Sequence, residues 1–440
     1  MRPQLGGELD AFMQALQTER ETSVRLNTKA DFKQLKLLHE AGLEEVPWCA
    51  EGYYLKNRPQ FTLDPLLHAG CYYVQEASSM FVQQVLEQYV SRDSIVLDMC
   101  AAPGGKSTLI SEHLGEEGLL ISNEVVRQRV FVLSENIQKW GNGNTVVTHN
   151  QARDFGDQLD NLFDCILVDA PCSGEGMFRK DEGAVDEWSL KNVEMCAARQ
   201  KEILKYVWPS LKPGGIMIYS TCTYNELEDE QNALFIRDEL GADILPVEYD
   251  EKWGIVESKA GYHFYPHKTR GEGFYLCALR KHEAPYQPFK VRLDKKKQPQ
   301  TIEFLTEMRS WLKHPERWTI RQNDRFSDAY PRKYKDLIEF LSARFICIST
   351  GFGIGEIRGK YIAPQHSLSM QKDFKKEMFP QVNLSLDMAR AYLRAEALII
   401  PDQQMGTLLM TYDWVPLGFV KNVGNRSNNL YPNEWRIRHL

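Results

Sequence analysis

The sequence of 440 residues contains no Cys-x-x-Cys pair and no apolar run long enough to cross a membrane. Its nine cysteines therefore argue against a zinc site and against a disulfide framework, and we expect reduced thiols. The N-terminal segment MRPQLGGELD also lacks the basic and then apolar pattern of a signal peptide. These absences predict a cytoplasmic globular protein that uses neither a metal nor a membrane, so each cysteine serves packing or chemistry.

The charge of the chain is unevenly distributed. The net charge of −7 combines −16 over residues 1–283 with +9 over residues 284–440. A basic C-terminal third that also contains many aromatic residues is typical of a nucleic-acid-binding module, although a solvated basic face has the same composition. The charge pattern alone leaves both interpretations open.

The middle of the chain alternates between apolar strands and amphipathic helices. The predicted strands are 95–97, 119–122, 145–148, 165–168 and 215–220. The predicted helices begin at Ser107 and cover 126–140, 193–211 and 226–240. This order predicts a doubly wound, Rossmann-like α/β fold, with a mostly parallel sheet and helices on both faces.

Composition also divides the chain into parts. We expect an N-terminal α/β extension (1–92), a doubly wound core (93–283), a Pro/Lys-rich linker (284–300), an intermediate α/β domain (301–388) and a small β-rich module (389–440). Five aromatic residues near the C-terminus are expected to be mainly core residues of this module, with base stacking as the alternative. They are Tyr412, Trp414, Phe419, Tyr431 and Trp435.

The segment VLDMCAAPGGKS, residues 96–107, joins the first predicted core strand to a helix. Gly104 and Gly105 permit positive φ and close backbone approach, and the free N–H groups of the following helix face the crevice at the sheet edge. Glu124 ends the second strand, where an acid usually binds ribose hydroxyls. The turn matches neither G-x-G-x-x-G nor a P-loop, so it predicts a nucleotide-like ligand without identifying it.

Two cysteines, Cys172 and Cys222, follow predicted strands and lie 50 residues apart. Because parallel strands end at the same sheet edge, both thiols are expected near Lys106 and near helix N-termini, which lower the pKa of a thiol and make it nucleophilic. The spacing does not tell which cysteine attacks. The other cysteines that we considered are expected to be small buried hydrophobes. These are Cys49, Cys71, Cys165, Cys196 and Cys277.

The segments LDMCAAPGGKS, DAPCSGEGMFRKD, LKPGG and YSTCT resemble, in order and spacing, the signatures of the NOL1/NOP2/Sun family of RNA cytosine-5 methyltransferases. The remainder of the chain is similar to the bacterial RsmF (YebU) branch of that family, through VRLNT, VPWCAEGYYL, YYVQEASSM, PHKTRGEGFYL and LGFVKNVGNRSNNLYPNEWRI. The resemblance covers nearly the whole chain. It implies methylation of small-subunit (16S) ribosomal RNA by an enzyme with a methyltransferase core (93–283), an RNA-binding intermediate domain (301–388) and a terminal PUA-like module. Nothing in the sequence indicates an obligate partner, so we expect a monomer.

The resemblance also implies the cofactor, S-adenosylmethionine, and the residues around it. Glu124 would bind the ribose, Gln151 the adenine, and Arg129 an additional part of the cofactor, while Asp169 would lie between cofactor and base. The methionine end would be held by Cys100, Ala101, Ala102, Pro103, Gly104, Gly105 and Lys106. Relatives commonly carry Asp where this chain has Gln151, so we expect weaker adenine binding.

The resemblance assigns the chemistry to four residues. Cys222 would attack carbon 6 of cytosine, and Cys172 would help to remove the proton from carbon 5. Asp169, assisted by Lys106, would hydrogen-bond the pyrimidine.

Several alternatives remain open at this point. The enzyme could methylate transfer RNA, or the protein could be a non-catalytic ribosome-assembly factor that only binds RNA. Arg179 and Lys180, in the DAPCSGEGMFRKD segment, are interpreted equally well as phosphate ligands or as a solvated loop. Ser173 and Thr221 are expected to be structural hydroxyls rather than catalytic ones.

Overall fold

A ten-stranded sheet lies at the centre of the protein in the computed structural model, which describes residues 5–291 and 302–438. Its five parallel strands are, in spatial order, Leu211–Thr221, Phe163–Asp169, Ile95–Asp98, Leu119–Asn123 and Thr145–Thr148. The order reverses beside Ile95–Asp98, whose two neighbours come later in the chain, and such a switch point opens a crevice at the carboxyl ends of the strands. The prediction of a Rossmann-like doubly wound core is confirmed.

Antiparallel strands extend the sheet at both edges. Phe274–Lys281 pairs with Leu211–Thr221 and is followed outward by Gly261–Phe264 and Val256–Ser258, while Ala242–Leu245 also pairs with Phe274–Lys281. At the opposite edge, Cys347–Thr350 pairs with Thr145–Thr148. This last strand comes from the predicted intermediate domain, so that part of the chain completes the core sheet.

Helices cover both faces of the sheet because neighbouring residues of each buried strand point to opposite sides. Val96 belongs to one apolar cluster with Ile110, whereas Leu97 belongs to another with Phe155 and Leu204. The core helices are Val82–Tyr89, Gly105–His113, Arg127–Trp140, Ala152–Gln158, Glu182–Glu187, Leu190–Val207 and Glu230–Phe235. A π-helical segment, Ile236–Gly241, continues the last of them.

Two helix predictions differ from the structure, and one further helix was not predicted. The predicted 193–211 helix ends at Val207, because Pro209 lacks an N–H donor, and a short 3₁₀ turn leads into the next strand. The predicted 226–240 helix is α-helical only over Glu230–Phe235. The Ala152–Gln158 helix was not predicted, since Gly156 weakens its helical pattern.

The N-terminal region forms a four-stranded antiparallel sheet in the order Leu43–Glu45, Gly52–Leu55, Thr22–Leu26 and Tyr72–Val74. The α-helices of this region are Leu9–Ala15, Lys36–Glu40 and Pro65–His68. Its buried face shares one apolar cluster with the C-terminal module, in which Val24 and Leu38 pack together with Leu393 and Leu408. The N-terminal region and the C-terminal module therefore pack around one shared hydrophobic core.

The C-terminal third contains two further four-stranded sheets. The first has the order Trp318–Asn323, Phe326–Pro331, Phe352–Arg358 and Tyr361–Pro364. The second belongs to the predicted PUA-like module and has the order Gln381–Asn383, Gly406–Tyr412, Val415–Asn422 and Ser427–Asn429. The accompanying helices are Ile302–Ser310, Lys335–Arg344, His366–Ser369 and Leu386–Leu393.

The aromatic residues of the PUA module are divided between core and surface. Phe419 and Tyr431 are buried, whereas Trp414 is 60% exposed. Tyr412 and Trp435 are half-buried against the core. The core interpretation thus fails at Trp414, because the tight turn at Asp413–Trp414, where both residues have positive φ, carries this side chain outward.

The predicted linker lies partly outside the described residues, which omit 292–301, and residues 284–291 form neither helix nor strand. Within the described ranges, no helix is both long and apolar enough to span a membrane.

Candidate active site

The Gly-rich turn after Ile95–Asp98 lies at the switch point of the sheet. Gly104 has a φ of 118° and caps the Gly105–His113 helix without any side-chain cap. The first N–H groups of that helix therefore remain available to a ligand. Asp98, completely buried beneath the turn, accepts a hydrogen bond from Ser107 Oγ at 2.6 Å, and burial raises the pKa of its carboxyl to about 7.

Side chains from outside the turn hold its backbone in place. Arg129 Nη2 donates to Ala102 O at 2.6 Å, and Asn136 Nδ2 donates to Pro103 O at 2.8 Å. Arg25, a buried residue of the N-terminal sheet, donates to Gly105 O at 3.3 Å. Arg129, predicted to touch the cofactor, is thus also a support for the turn.

The residues expected to bind ribose and adenine lie on the next two strand ends. Glu124 is 3% exposed, its Oε1 accepts from Val126 N at 2.8 Å, and its Oε2 lies 3.5 Å from Arg129 Nη1. Gln151 is exposed at the start of the Ala152–Gln158 helix, where its backbone N–H donates to Asp154 Oδ2 at 2.9 Å. The Glu124 carboxylate and the Gln151 amide thus lie along one side of the crevice. Their polar atoms could hydrogen-bond the polar groups of a nucleoside.

One residue that the sequence analysis missed, Asn123, joins these strand ends. Its Oδ1 accepts from Thr148 Oγ1 and from Asn150 N, each at 2.9 Å, and its Nδ2 donates to Met99 O at 3.2 Å and to Asn150 O at 3.0 Å. Its position next to Glu124 at a strand end was the available signal. The fully buried amide fixes three strand ends relative to one another.

An ion pair occupies the centre of the crevice. Lys106 Nζ lies 2.8 Å from Asp169 Oδ2, and Ser220 Oγ donates to Asp169 Oδ1 at 2.7 Å. Burial lowers the pKa of Lys106, but the adjacent Asp169 carboxylate outweighs burial and raises this pKa above its ordinary value. The structure therefore brings Lys106 and Asp169 together, as the position of both residues at one sheet edge predicted.

The two candidate thiols are in direct contact. The Sγ atoms of Cys172 and Cys222 are 3.0 Å apart, and both side chains are partly exposed. The hydrogen bond from the Cys172 thiol lowers the pKa of Cys222, and Lys106 lowers it further, whereas the same hydrogen bond raises the pKa of Cys172 well above its ordinary range. One sulfur is thus favoured as the thiolate and the other as the thiol.

The remaining cysteines differ clearly from this pair. Cys49, Cys71, Cys165, Cys196 and Cys277 are buried, as predicted. Burial raises the pKa of Cys49 and that of Cys71 to about 12. Burial also raises the pKa of Cys100, which lies in the Gly-rich turn.

Hydroxyls and an arginine near the thiols have structural partners. Thr221 Oγ1 donates to Asp229 Oδ1, and Ser173 Oγ donates to Glu228 Oε1. The side chain of Arg179 is only 6% exposed, because its Nε donates to Glu272 Oε2 at 3.0 Å and its Nη2 to Gly271 O at 2.8 Å. Arg179 is therefore neither a phosphate ligand nor part of a solvated loop, because its guanidinium is taken up by a buried ion pair.

Three family models match the chain, in its N-terminal, central and C-terminal parts. Residues 84–280 match the family model described as 16S rRNA methyltransferase RsmB/F. Residues 1–77 match the N-terminal domain of 16S rRNA methyltransferase RsmF, and residues 379–437 match the methyltransferase RsmF PUA domain.

Individual proteins are similar over the same extent. Ribosomal RNA small subunit methyltransferase F of Enterobacter sp. (strain 638) is 31% identical over 455 residues, covering 97% of this chain and 92% of that protein. Its counterpart from Aliivibrio fischeri (strain MJ11) is 32% identical over 447 residues, covering 97% and 93%.

Two solved structures from Pyrococcus horikoshii share the fold. A methyltransferase homolog is 27% identical with a TM-score of 0.53, covering 63% of this chain and 91% of that one. NSun6, solved with the S-adenosylmethionine analogue SFG, is 23% identical with a TM-score of 0.54, covering 63% and 95%.

Proposed function

The chain belongs to the RsmF branch of the RsmB/F family of 16S rRNA methyltransferases, and on that basis we propose that it forms 5-methylcytosine in small-subunit ribosomal RNA. The enzyme depends on S-adenosylmethionine. We propose in addition that it methylates carbon 5 of cytosine and that the reaction passes through a covalent cysteine–cytosine adduct. One observation carries it: two thiols of opposite pKa shift lie 3.0 Å apart beside the Lys106–Asp169 ion pair.

The proposed cofactor site uses the residues that the crevice brings together. The turn 100–106 and the free N–H groups of the Gly105–His113 helix suit the charged methionine end, and Glu124 suits the ribose hydroxyls. Gln151 is proposed to face the adenine. Arg129 supports the turn and Glu124 together. When bound, S-adenosylmethionine supplies an electrophilic methyl group.

The proposed chemistry begins at Cys222, because carbon 5 of cytosine is a poor nucleophile. The Cys222 thiolate adds to carbon 6, the new S–C bond forms, and electron density moves to carbon 5. Asp169, oriented by Lys106 and Ser220, hydrogen-bonds the pyrimidine around its ring nitrogen and stabilises this adduct.

The second half of the proposed cycle uses Cys172. Once carbon 5 carries the methyl group, it must lose its proton, and the Cys172 thiol helps to remove it by relaying the proton to solvent water. The electron pair of the C–H bond then restores the ring double bond and expels the Cys222 sulfur as thiolate. The 3.0 Å contact between the two sulfur atoms supports this assignment of roles, because both sulfur atoms can then reach the same cytosine ring.

The proposal extends to the surroundings of the core. Region 301–388 and the PUA module, which belong to the basic C-terminal third, are proposed to hold the RNA, and residues 1–92 to contribute to its binding or to pack on the core. The enzyme would act as a monomer in the cytoplasm, where its ribosomal substrate is made.

The test is methyl transfer from labelled S-adenosylmethionine to unmodified small subunits, naked ribosomal RNA, transfer RNA and DNA. We expect the wild type and the control Cys196→Ala to label ribosomal substrates at carbon 5 of cytosine. Cys222→Ala should be inactive, and Cys172→Ala should accumulate a protein–RNA adduct on denaturing gels.

The other outcomes are equally informative. If Cys222→Ala traps RNA and Cys172→Ala is inactive, the two roles are reversed. Labelling of transfer RNA alone would support the alternative substrate. Tight RNA binding by the wild type without any labelling would support an assembly factor.

A further inference from the structure

The two candidate thiols lie on separate loops that no strand pairing joins directly. The Cys172 loop, residues 170–176, follows Phe163–Asp169, and the Cys222 loop, residues 222–229, follows Leu211–Thr221. One backbone hydrogen bond, from Gly176 N to Cys222 O at 2.9 Å, connects them. The contact between the sulfur atoms therefore depends on the side chains that link the two loops.

Glu228, on the Cys222 loop, links to the Cys172 loop. Its Oε2 accepts from Ser173 N at 3.0 Å, and its Oε1 accepts from Ser173 Oγ. Asn225 Nδ2 donates to Oε1 at 2.8 Å, and Gln200 Nε2 donates to Oε2 at 2.8 Å. Gln200 Nε2 also donates to Pro171 O at 3.0 Å. This completely buried carboxylate therefore holds Ser173 directly and Pro171 through Gln200, on the two sides of Cys172.

Glu175, on the Cys172 loop, makes the converse link. Its Oε2 accepts from Thr223 Oγ1 at 2.8 Å and from Tyr224 N at 3.0 Å, both on the Cys222 loop. Its Oε1 accepts from Trp188 Nε1 at 3.0 Å. Glu175 is 5% exposed. Each loop thus carries one acid that binds the residue immediately following the cysteine of the other loop.

We propose that Glu175 and Glu228, the reciprocal carboxylate pair, are positioning residues for methyl transfer that hold the sulfur atoms of Cys172 and Cys222 in contact. This inference rests on the proposed roles of the two cysteines. Neither acid touches the crevice residues Lys106 or Asp169 through a hydrogen bond within the described residues, so both act through the loops.

The chemistry of the pair requires acids. Every partner of Glu228 is an N–H or O–H group, and a carboxylate accepts on both oxygens while donating none. Glutamine at either position would place an NH₂ group against at least one of these donors and leave buried polar groups unpaired. The two loops would then be free to move apart. Because glutamate and glutamine side chains have nearly the same size, the substitution itself would leave no cavity.

Loss of the contact would alter the reactivity of the thiols. The groups that face Cys222 are Cys172, Asp169, Lys106 and Glu228, and the hydrogen bond from Cys172 has the largest effect on its pKa. If the loops separate, that hydrogen bond is lost and the pKa of Cys222 rises. The thiolate fraction of Cys222 would fall at neutral pH.

The experiment compares Glu228→Gln and Glu175→Gln with the control Glu226→Gln, which alters an exposed acid of the same loop that pairs with Lys259. Iodoacetamide alkylation of Cys222 and Cys172 in the full chain is followed against pH by mass spectrometry. We expect the alkylation midpoint of Cys222 to move to higher pH in Glu175→Gln and to stay unchanged in the control. In Glu228→Gln the shift should be smaller, because the Glu228 charge itself raises the pKa of Cys222 and its removal acts in the opposite direction. Turnover should fall about 100-fold, with unchanged affinity for S-adenosylmethionine.

A milder variant, Ser173→Ala, removes one of the donors to Glu228 and should shift the Cys222 midpoint in the same direction by a smaller amount. A folded Glu175→Gln protein with wild-type alkylation and turnover would overturn the inference, and so would lost turnover in that variant with an unchanged alkylation profile. Because alkylation needs no RNA, failure of the wild type to methylate cytosine would refute the proposed function separately.

Discussion

Asp98 should make the protein less stable as the pH rises through neutrality. Its completely buried carboxyl has a pKa of about 7 in the folded chain, against 3.8 for an ordinary Asp. A raised folded-state pKa means that the contribution of the group to stability is fully present below the unfolded value and is lost as the pH passes through the folded value. The difference corresponds to about 4 kcal/mol of unfolding free energy, removed between about pH 4 and pH 8.

Asp98→Asn tests this magnitude, since asparagine resembles the protonated carboxyl and does not titrate. We expect the two proteins to unfold at similar urea concentrations near pH 4, and the variant to be more stable near pH 8 by up to about 4 kcal/mol. Unfolding is followed by tryptophan fluorescence without cofactor, so that no ligand contributes to the difference.

Ser107→Ala is the matched control, because the Ser107 hydroxyl lowers the pKa of Asp98 against the effect of burial. Its removal should move the loss of stability to higher pH. If Asp98→Asn retains the pH dependence of the wild type, the stability loss has another origin and the reasoning is refuted.

Two further predictions concern the surroundings of the crevice. Arg179→Ala leaves Glu272 buried without its partner and should cost about 3–5 kcal/mol in urea unfolding while leaving RNA affinity and its salt dependence unchanged; weaker RNA binding at full stability would restore the phosphate interpretation. Gln151→Asp should tighten S-adenosylmethionine binding several-fold in calorimetry, because a charged acceptor strengthens the hydrogen bond to the adenine amine by about 1 kcal/mol. Unchanged affinity would mean that residue 151 does not face the adenine.

The sequence by itself determined the parallel core and the edge at which the site lies. Buried parallel strands are continuous apolar runs, and each ends at a polar residue, such as Asp98, Asn123 or Asp169. Since all parallel strands end at one edge, the meeting of Lys106, Asp169 and the two thiols follows from local pattern and connectivity.

Only the tertiary structure decided the contacts between segments distant in the sequence. The strand Cys347–Thr350 joins the core sheet, and the N-terminal sheet shares its core with the PUA module. Likewise, Arg179 finds Glu272 across 93 residues, and Glu175 and Glu228 each bind the opposite loop. Periodicity records which face of an element is apolar, but it carries no information about which distant donor a buried carboxylate will meet, because that depends on how the elements pack.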